Sequence, residues 1–249
     1  MTWEAYDANG VEGKYLFKFL SEDNLQRFLK TGNIWFARSD KFGDKMECLS
    51  INDFTGTSFR IPDIKVRQKK HLISCFHVST HESLAFWDTY AKTDKERRKY
   101  ALRFVKNDFI NLIKESTSPT PANLKKSIYG NVKYKNLISA DAGKLLKVKM
   151  KYPSFRKDAV FSYEKEFRFV LQLNSESATE GFNFYIGDPH KISFHILVNP
   201  LLTMTDFKTS LRFVLSSGFK DKFGLSKLTK WVKPELSPLL VRVQNKKLK

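Results

Sequence analysis

Two glutamates and an arginine alternate in Tyr163-Glu164-Lys165-Glu166-Phe167-Arg168-Phe169. Read as a strand, the segment turns successive side chains to opposite faces. Glu164, Glu166 and Arg168 then share one face, and Lys165, Phe167 and Phe169 lie on the other. Two carboxylates about 7 Å apart beside a guanidinium can stay ionised and oriented. A fixed anion of this kind can stabilise a cationic sugar centre, as in glycosyl transfer. The same spacing also describes a half-exposed strand carrying an ion pair, with Phe167 and Phe169 facing the core.

A second group is Ile73-Ser74-Cys75-Phe76-His77, followed by Trp87-Asp88-Thr89-Tyr90. Cys75 and His77 share a strand face, which raises a thiol nucleophile, although a buried structural cysteine satisfies the same pattern. Trp87 and Tyr90 stand three apart on a helix, either in the core or stacked on a flat ring. His71, His77 and His81 come with no matching cysteine pair and no H-E-x-x-H, so no metal is expected. A P-loop, a G-x-G-x-x-G and a G-x-S-x-G are all missing, which argues against ATPase, Rossmann and esterase chemistry.

The elements that must position these groups follow from period and punctuation. Residues 15–19 read as an aromatic strand. Ser21 is an N-cap for a helix carrying Leu25, Phe28 and Leu29, and Gly32 sits where the chain must leave it. Residues 33–37 resume as a strand, before an irregular insertion over about 40–62 with Gly43, Asn52, Asp53 and Gly56 as turn residues. Residues 71–76 form a short apolar run that reads as a buried strand. A helix is expected over 83–91, an alternating strand over 99–105, a short helix over 108–114 and a loop over about 115–122. Strands are expected over 132–134, 166–173, 182–186 and 192–198, with a helix over 206–215 carrying Phe207, Leu211 and Val214 on one stripe. Strands and helices mix without regular alternation. The expected class is α+β, with mixed, mostly antiparallel sheets and a few flanking helices in a single domain spanning 1–249.

The bulk composition narrows the setting. The chain has 249 residues, 44 Lys+Arg against 26 Asp+Glu, a net charge of +18 and 22 Phe. Such a balance suits a polyanionic partner such as nucleic acid, or simply a solvated lysine-rich surface. Basic clusters fall at 65–70, 95–99, 144–151 and 246–249. Two cysteines, Cys48 and Cys75, cannot build a disulfide framework. Residues 1–7 show no basic stretch followed by an apolar run, and no segment approaches the roughly 18 apolar residues of a membrane helix. A cytoplasmic protein with no membrane contact is expected.

Six ordered segments resemble the bacterial domain-of-unknown-function family 2971. They are Tyr15-Leu16-Phe17-Lys18-Phe19, Asn33-Ile34-Trp35-Phe36-Ala37, residues 40–47, Ile73-Ser74-Cys75-Phe76, Trp87-Asp88-Thr89-Tyr90-Ala91 and residues 163–168. The likeness spans roughly 14–200. Where that family has N-D-P-F-E, this chain has Gly43-Asp44-Lys45-Met46-Glu47. The family's glycine after W-s-h-Y-A is also missing, with Arg98-Lys99 near that place.

More distantly, the layout is similar to ADP-ribosyltransferase domains and their split-sheet core. Asn24-Leu25-Gln26-Arg27-Phe28-Leu29-Lys30-Thr31-Gly32 resembles their N-L-x-x-I-L-x-x-G helix, and Glu164-Lys165-Glu166 resembles their catalytic E-x-E. The resemblance implies NAD as the substrate that binds, a nucleic acid or protein as acceptor, and a toxin or antiviral-defence role. It also implies site roles. Glu166 would stabilise the ribosyl cation, Glu164 would orient or deprotonate the acceptor, and Arg168 would fix the carboxylates. Lys18, replacing the usual His or Arg, would hold a phosphate or the adenosine ribose, and Trp87 and Tyr90 would wall the nicotinamide. Two other readings stay open: a non-catalytic basic nucleic-acid-binding module, and a metal-dependent nuclease using Asp44, Glu47 and Glu166.

Overall fold

A computed structural model describes residues 1–8, 13–44, 47–48, 61–91, 99–135, 152–224 and 226–232. The expected turn residues Asn52, Asp53 and Gly56, residues 95–98 and the basic clusters at 144–151 and 246–249 lie outside them. The chain divides into two compact units: Met1–Glu12 with Asn33–His77 and Ile113–Ile186, and Gly13–Gly32 with Val78–Leu112 and Gly187–Lys249. Both are α+β with mostly antiparallel pairing, the class the sequence pattern implies.

In the first unit, β9 (Glu166–Leu173) is the central strand. It pairs antiparallel with β4 (His71–Ser79) on one side and with β6 (Leu124–Asn131) on the other. The strand β1 (Trp3–Tyr6) adds in parallel to β6. Beyond β4 come β3 (Asn33–Arg38) and then β10 (Gly181–Tyr185), both antiparallel. A small parallel pair, β7 (Lys133–Lys135) with β8 (Arg156–Asp158), stands apart, and a helix covers Ile61–Gln68. Phe167, Phe169, Val170 and Leu171 are all fully buried, and so is Arg168, at 1 % exposure. Thus β9 is covered on both faces rather than half-exposed. Trp3, Tyr129 and Phe76 pack around Phe169 with ring centroids 5.7–6.0 Å apart, within the range where aromatic pairs add to simple burial.

In the second unit, β2 (Tyr15–Leu20), β5 (Tyr100–Val105) and β11 (His195–Val198) form an antiparallel ribbon in that order. The first helix, Glu22–Thr31, begins and ends as its sequence dictates. Ser21 Oγ accepts from the Asn24 N–H at 3.4 Å, and Gly32 takes a left-handed φ of 66° while its N–H donates to Phe28 O. Further helices cover Leu84–Ala91, Lys106–Glu115 and Met204–Ser216, the last capped by Thr203. Phe17, Phe19, Phe86, Trp87, Ala101 and Leu197 make a core cluster.

Several elements depart from the sequence expectation. The strands β1, β6 and β8 and the helix over Ile61–Gln68 were not foreseen. Residues 192–194 are not strand, so β11 is shorter than the apolar run. Most consequential is Glu164. It is the last residue of a 3-10 segment, Ala159–Glu164, not part of a strand. Lys165 then takes a left-handed conformation (φ 42°), which breaks the alternation, and β9 starts at Glu166.

Candidate functional site

Glu164, Glu166 and Arg168 do meet, by a route different from strand alternation. Arg168 projects from the middle of β9. Its Nε donates to Glu166 Oε2 at 2.5 Å. Its two Nη atoms grip both oxygens of Glu47, one contact measuring 3.1 Å, and Nη1 also donates to Ser154 O at 2.7 Å. Four of the five guanidinium N–H donors are therefore used, in a planar fork that a lysine could not reproduce. Arg168 fixes Glu166 and Glu47 but not Glu164. The cation on Glu164 is Lys157 of β8, whose Nζ donates to Glu164 and, at 3.1 Å, to Glu166 Oε1.

The backbone around the pair is also held. The Glu166 N–H donates to the Tyr134 hydroxyl at 2.8 Å, Val132 N–H donates to Glu166 O at 2.9 Å, and the imidazole Nδ1 of His77 lies 2.8 Å from Glu164 O. Asp158 caps the 3-10 segment by accepting from Val160 N–H at 3.0 Å. That segment swings Glu164 back over Lys157, and the ammonium also lies 4.6 Å from the centroid of the Phe161 ring.

The five ionic side chains are 1–8 % exposed. They comprise two cations, Lys157 and Arg168, and three carboxylates, Glu47, Glu164 and Glu166. Carboxylates buried beside one another are costly to ionise together, which favours the protonated form of the one least supported by cations. Burial opposes ionisation of Glu166, but Arg168 and Lys157 more than offset it and hold this carboxyl well below its usual range. Burial, then its hydrogen bond with Glu166, pushes Glu164 up to about 7, against the pull of Lys157. Burial also raises Glu47, against Arg168. Both cations stay charged despite burial because of the carboxylates. Two neighbouring glutamates are thus shifted in opposite directions by their surroundings, the pattern that separates a fixed anion from a proton carrier.

Lys18 on β2 and Trp87 and Tyr90 on the helix Leu84–Ala91 belong to the other unit. Lys18 is half-buried. Trp87 is 1 % exposed and packs edge-on against Phe19 at 4.6 Å, so it is a core residue there rather than an open wall. The side chain of Tyr90 lies outside the described residues. Cys75 faces Arg168 in the β4–β9 register, and Cys48 is buried with its thiol pushed up, first by burial.

Two members of the network were not singled out for this chemistry by sequence. Glu47 closes the 40–47 segment of the resemblance, and the only chemistry its sequence context suggests is that of a metal ligand. Lys157 sits in Arg156-Lys157-Asp158, with no local signal of its partners. For the nuclease reading, the guanidinium of Arg168 stands between Glu47 and Glu166, where a bridging cation would have to sit. Among the described residues, no group of three or more His, Cys, Asp or Glu is arranged to hold a metal, and no helix is long and apolar enough to cross a membrane. The chain matches no family model, no curated protein and no solved structure.

Proposed function

We propose that the chain is a glycosyl-transfer enzyme of ADP-ribosyltransferase type, with NAD as donor and a cytoplasmic nucleic acid or protein as acceptor, acting as a toxin or antiviral effector. The observation that supports this most is geometric: Glu164 and Glu166 meet on one buried ammonium, Lys157, with Arg168 on Glu166 alone, an asymmetry that raises the proton affinity of Glu164 and lowers that of Glu166. In this reading Glu166 is the fixed anion that stabilises positive charge growing on the ribosyl carbon. Glu164, titrating near neutrality, removes the acceptor proton. Arg168, Lys157 and Glu47 position the pair. Trp87, packed in the core of the other unit, takes no part in this reading. The +18 charge supports the reading for an anionic acceptor.

A second reading has its own supporting observation. Both oxygens of Glu166 are held by cations, and no side chain of the network is more than 8 % exposed. On that account the cluster is structural and the protein is a non-catalytic nucleic-acid-binding module. Incubating the full chain with labelled NAD, with and without oligonucleotide, separates the two. The enzymatic reading expects NAD consumption that Glu166→Gln lowers on the order of a hundredfold or more. Wild-type protein that leaves NAD intact, or a Glu166→Gln variant as active as wild type, selects the structural account.

A further inference from the structure

The buried network has two sulfurs beside it. On β4, Ile73, Cys75 and His77 alternate onto the face that carries Val170, Arg168 and Glu166 of β9, and Cys75 stands directly opposite Arg168. Residues so placed in an antiparallel pair have Cβ atoms about 4.5–5.5 Å apart. Cys48 reaches the same face from another part of the chain. It packs with Ile73, Ile128, Val170, Tyr152 and Phe155, and Cys75 packs against that same cluster. Both cysteines are thiols.

Cys48 is held there through its neighbour Glu47. The Glu47 carboxylate takes two donors from Arg168, its N–H donates to Asp44 O at 3.2 Å, and its carbonyl accepts from Gln68 Nε2 at 3.0 Å. The chain then turns at Cys48 itself, in the left-handed region at φ 60°. Arg168 thus has one cysteine across the sheet and the other one residue beyond the glutamate it grips. Cys75 is near enough to Cys48 to act electrostatically on its thiol. The two sulfurs differ in access, Cys48 being 2 % exposed and Cys75 half-buried.

We infer that Cys48 and Cys75 are an oxidant-responsive pair, which a peroxide closes into a disulfide that ties the Glu47 turn to β4. Cys75 is the sulfur a peroxide reaches, because Cys48 is covered. The Cys75 thiolate attacks one oxygen of hydrogen peroxide, the O–O bond breaks, and the departing hydroxide takes up the thiol proton and leaves as water. Cys75 is then a sulfenic acid. Cys48 attacks that sulfur, the S–S bond forms, the S–O bond breaks, and the hydroxyl leaves with the Cys48 proton as a second water. The two thiols give up two protons and two electrons, and the peroxide is reduced to two waters. Burial keeps Cys48 protonated until it attacks, so the second step is the slower one. The inference is independent of the glycosyl-transfer reading, since the bridge is read on protein that need not turn over NAD.

The test is peptide-mapping mass spectrometry of the full chain after native treatment with a small excess of hydrogen peroxide, with and without dimedone to trap sulfenic acid. Wild type yields a Cys48–Cys75 cross-linked peptide, two hydrogens lighter than its separate halves, and dithiothreitol restores both thiols. Cys48→Ala removes the resolving thiol, so the dimedone adduct accumulates on Cys75. Cys75→Ala leaves Cys48 unmodified over the same time, because peroxide does not reach it. Melting temperatures of the reduced variants report on folding, and the cross-linked peptide of wild type keeps the test valid if a variant is unstable. Two unmodified thiols in treated wild type, a disulfide formed only between two chains, or Cys75 carried to sulfinic acid with no bridge would each overturn the inference.

Discussion

Replacing Arg168 by Met is the most revealing perturbation of the buried network. Methionine fills much of the same space and removes the charge and all four hydrogen bonds. Glu47 and Glu166 then face each other without a cation between them, at 2 % and 7 % exposure. Breaking a buried pair by removing one partner costs about 3–5 kcal/mol, because the other charge stays buried. For a chain of this size that corresponds to a fall in melting temperature of roughly 6–20 °C. Arg168→Lys falls between, since it keeps the charge and loses the fork. Adding Glu47→Met to Arg168→Met recovers part of the loss, because the orphaned carboxylate goes too, and the two effects fall short of their sum. Thermal unfolding followed by circular dichroism on wild type, Arg168→Met, Arg168→Lys, Glu47→Met and the double variant reads this directly. An Arg168→Met variant that melts within about 2 °C of wild type would refute the buried-network reasoning.

Glu164→Gln should change how stability varies with pH. Folded Glu164 keeps its proton to about 7, against an ordinary value of 4.5. The folded state therefore binds more protons between those values, and the stabilising contribution of this group is lost as pH rises through that window. Glu166 runs the opposite way, its contribution being present above the ordinary value and lost on acidification. Glu164→Gln consequently gains on wild type in melting temperature between about pH 5 and about pH 8, and a constant difference would contradict it. Gly130→Ala tests the parallel β1–β6 pairing. A Cβ there would stand 1.6 Å from Tyr6 O, so β1 must shift, costing about 1–3 kcal/mol and speeding amide exchange at residues 3–6. Exchange in that segment as slow as in wild type would show the close approach to be wrong.

Local signals were legible where one residue type decides one backbone state. Ser21 and Gly32 bound their helix as their chemistry requires, and β9 runs over the residues its apolar run marks. β6 was hidden because Lys125 and Lys126 interrupt a strand whose other end is buried. The composition of the candidate site was half-legible. Glu164, Glu166 and Arg168 are together, but the left-handed Lys165 is a non-glycine exception that no pattern announces. Glu47 reaches Arg168 across 121 residues of chain, a pairing that only the tertiary fold creates. The seat of the Trp35 indole was equally invisible, since it depends on Gly181 lying beneath the ring on a distant strand.

Carboxyl-carbon NMR titration of protein labelled at glutamate, assigned with Glu164→Gln and Glu166→Gln, addresses the opposed states of the pair most directly. Glu164 should lose its proton near pH 7, and Glu166 should remain ionised well below the ordinary carboxyl range. Both groups titrating together near 4.5 would mean that the cluster does not divide their roles, and the proposed chemistry would lose its basis.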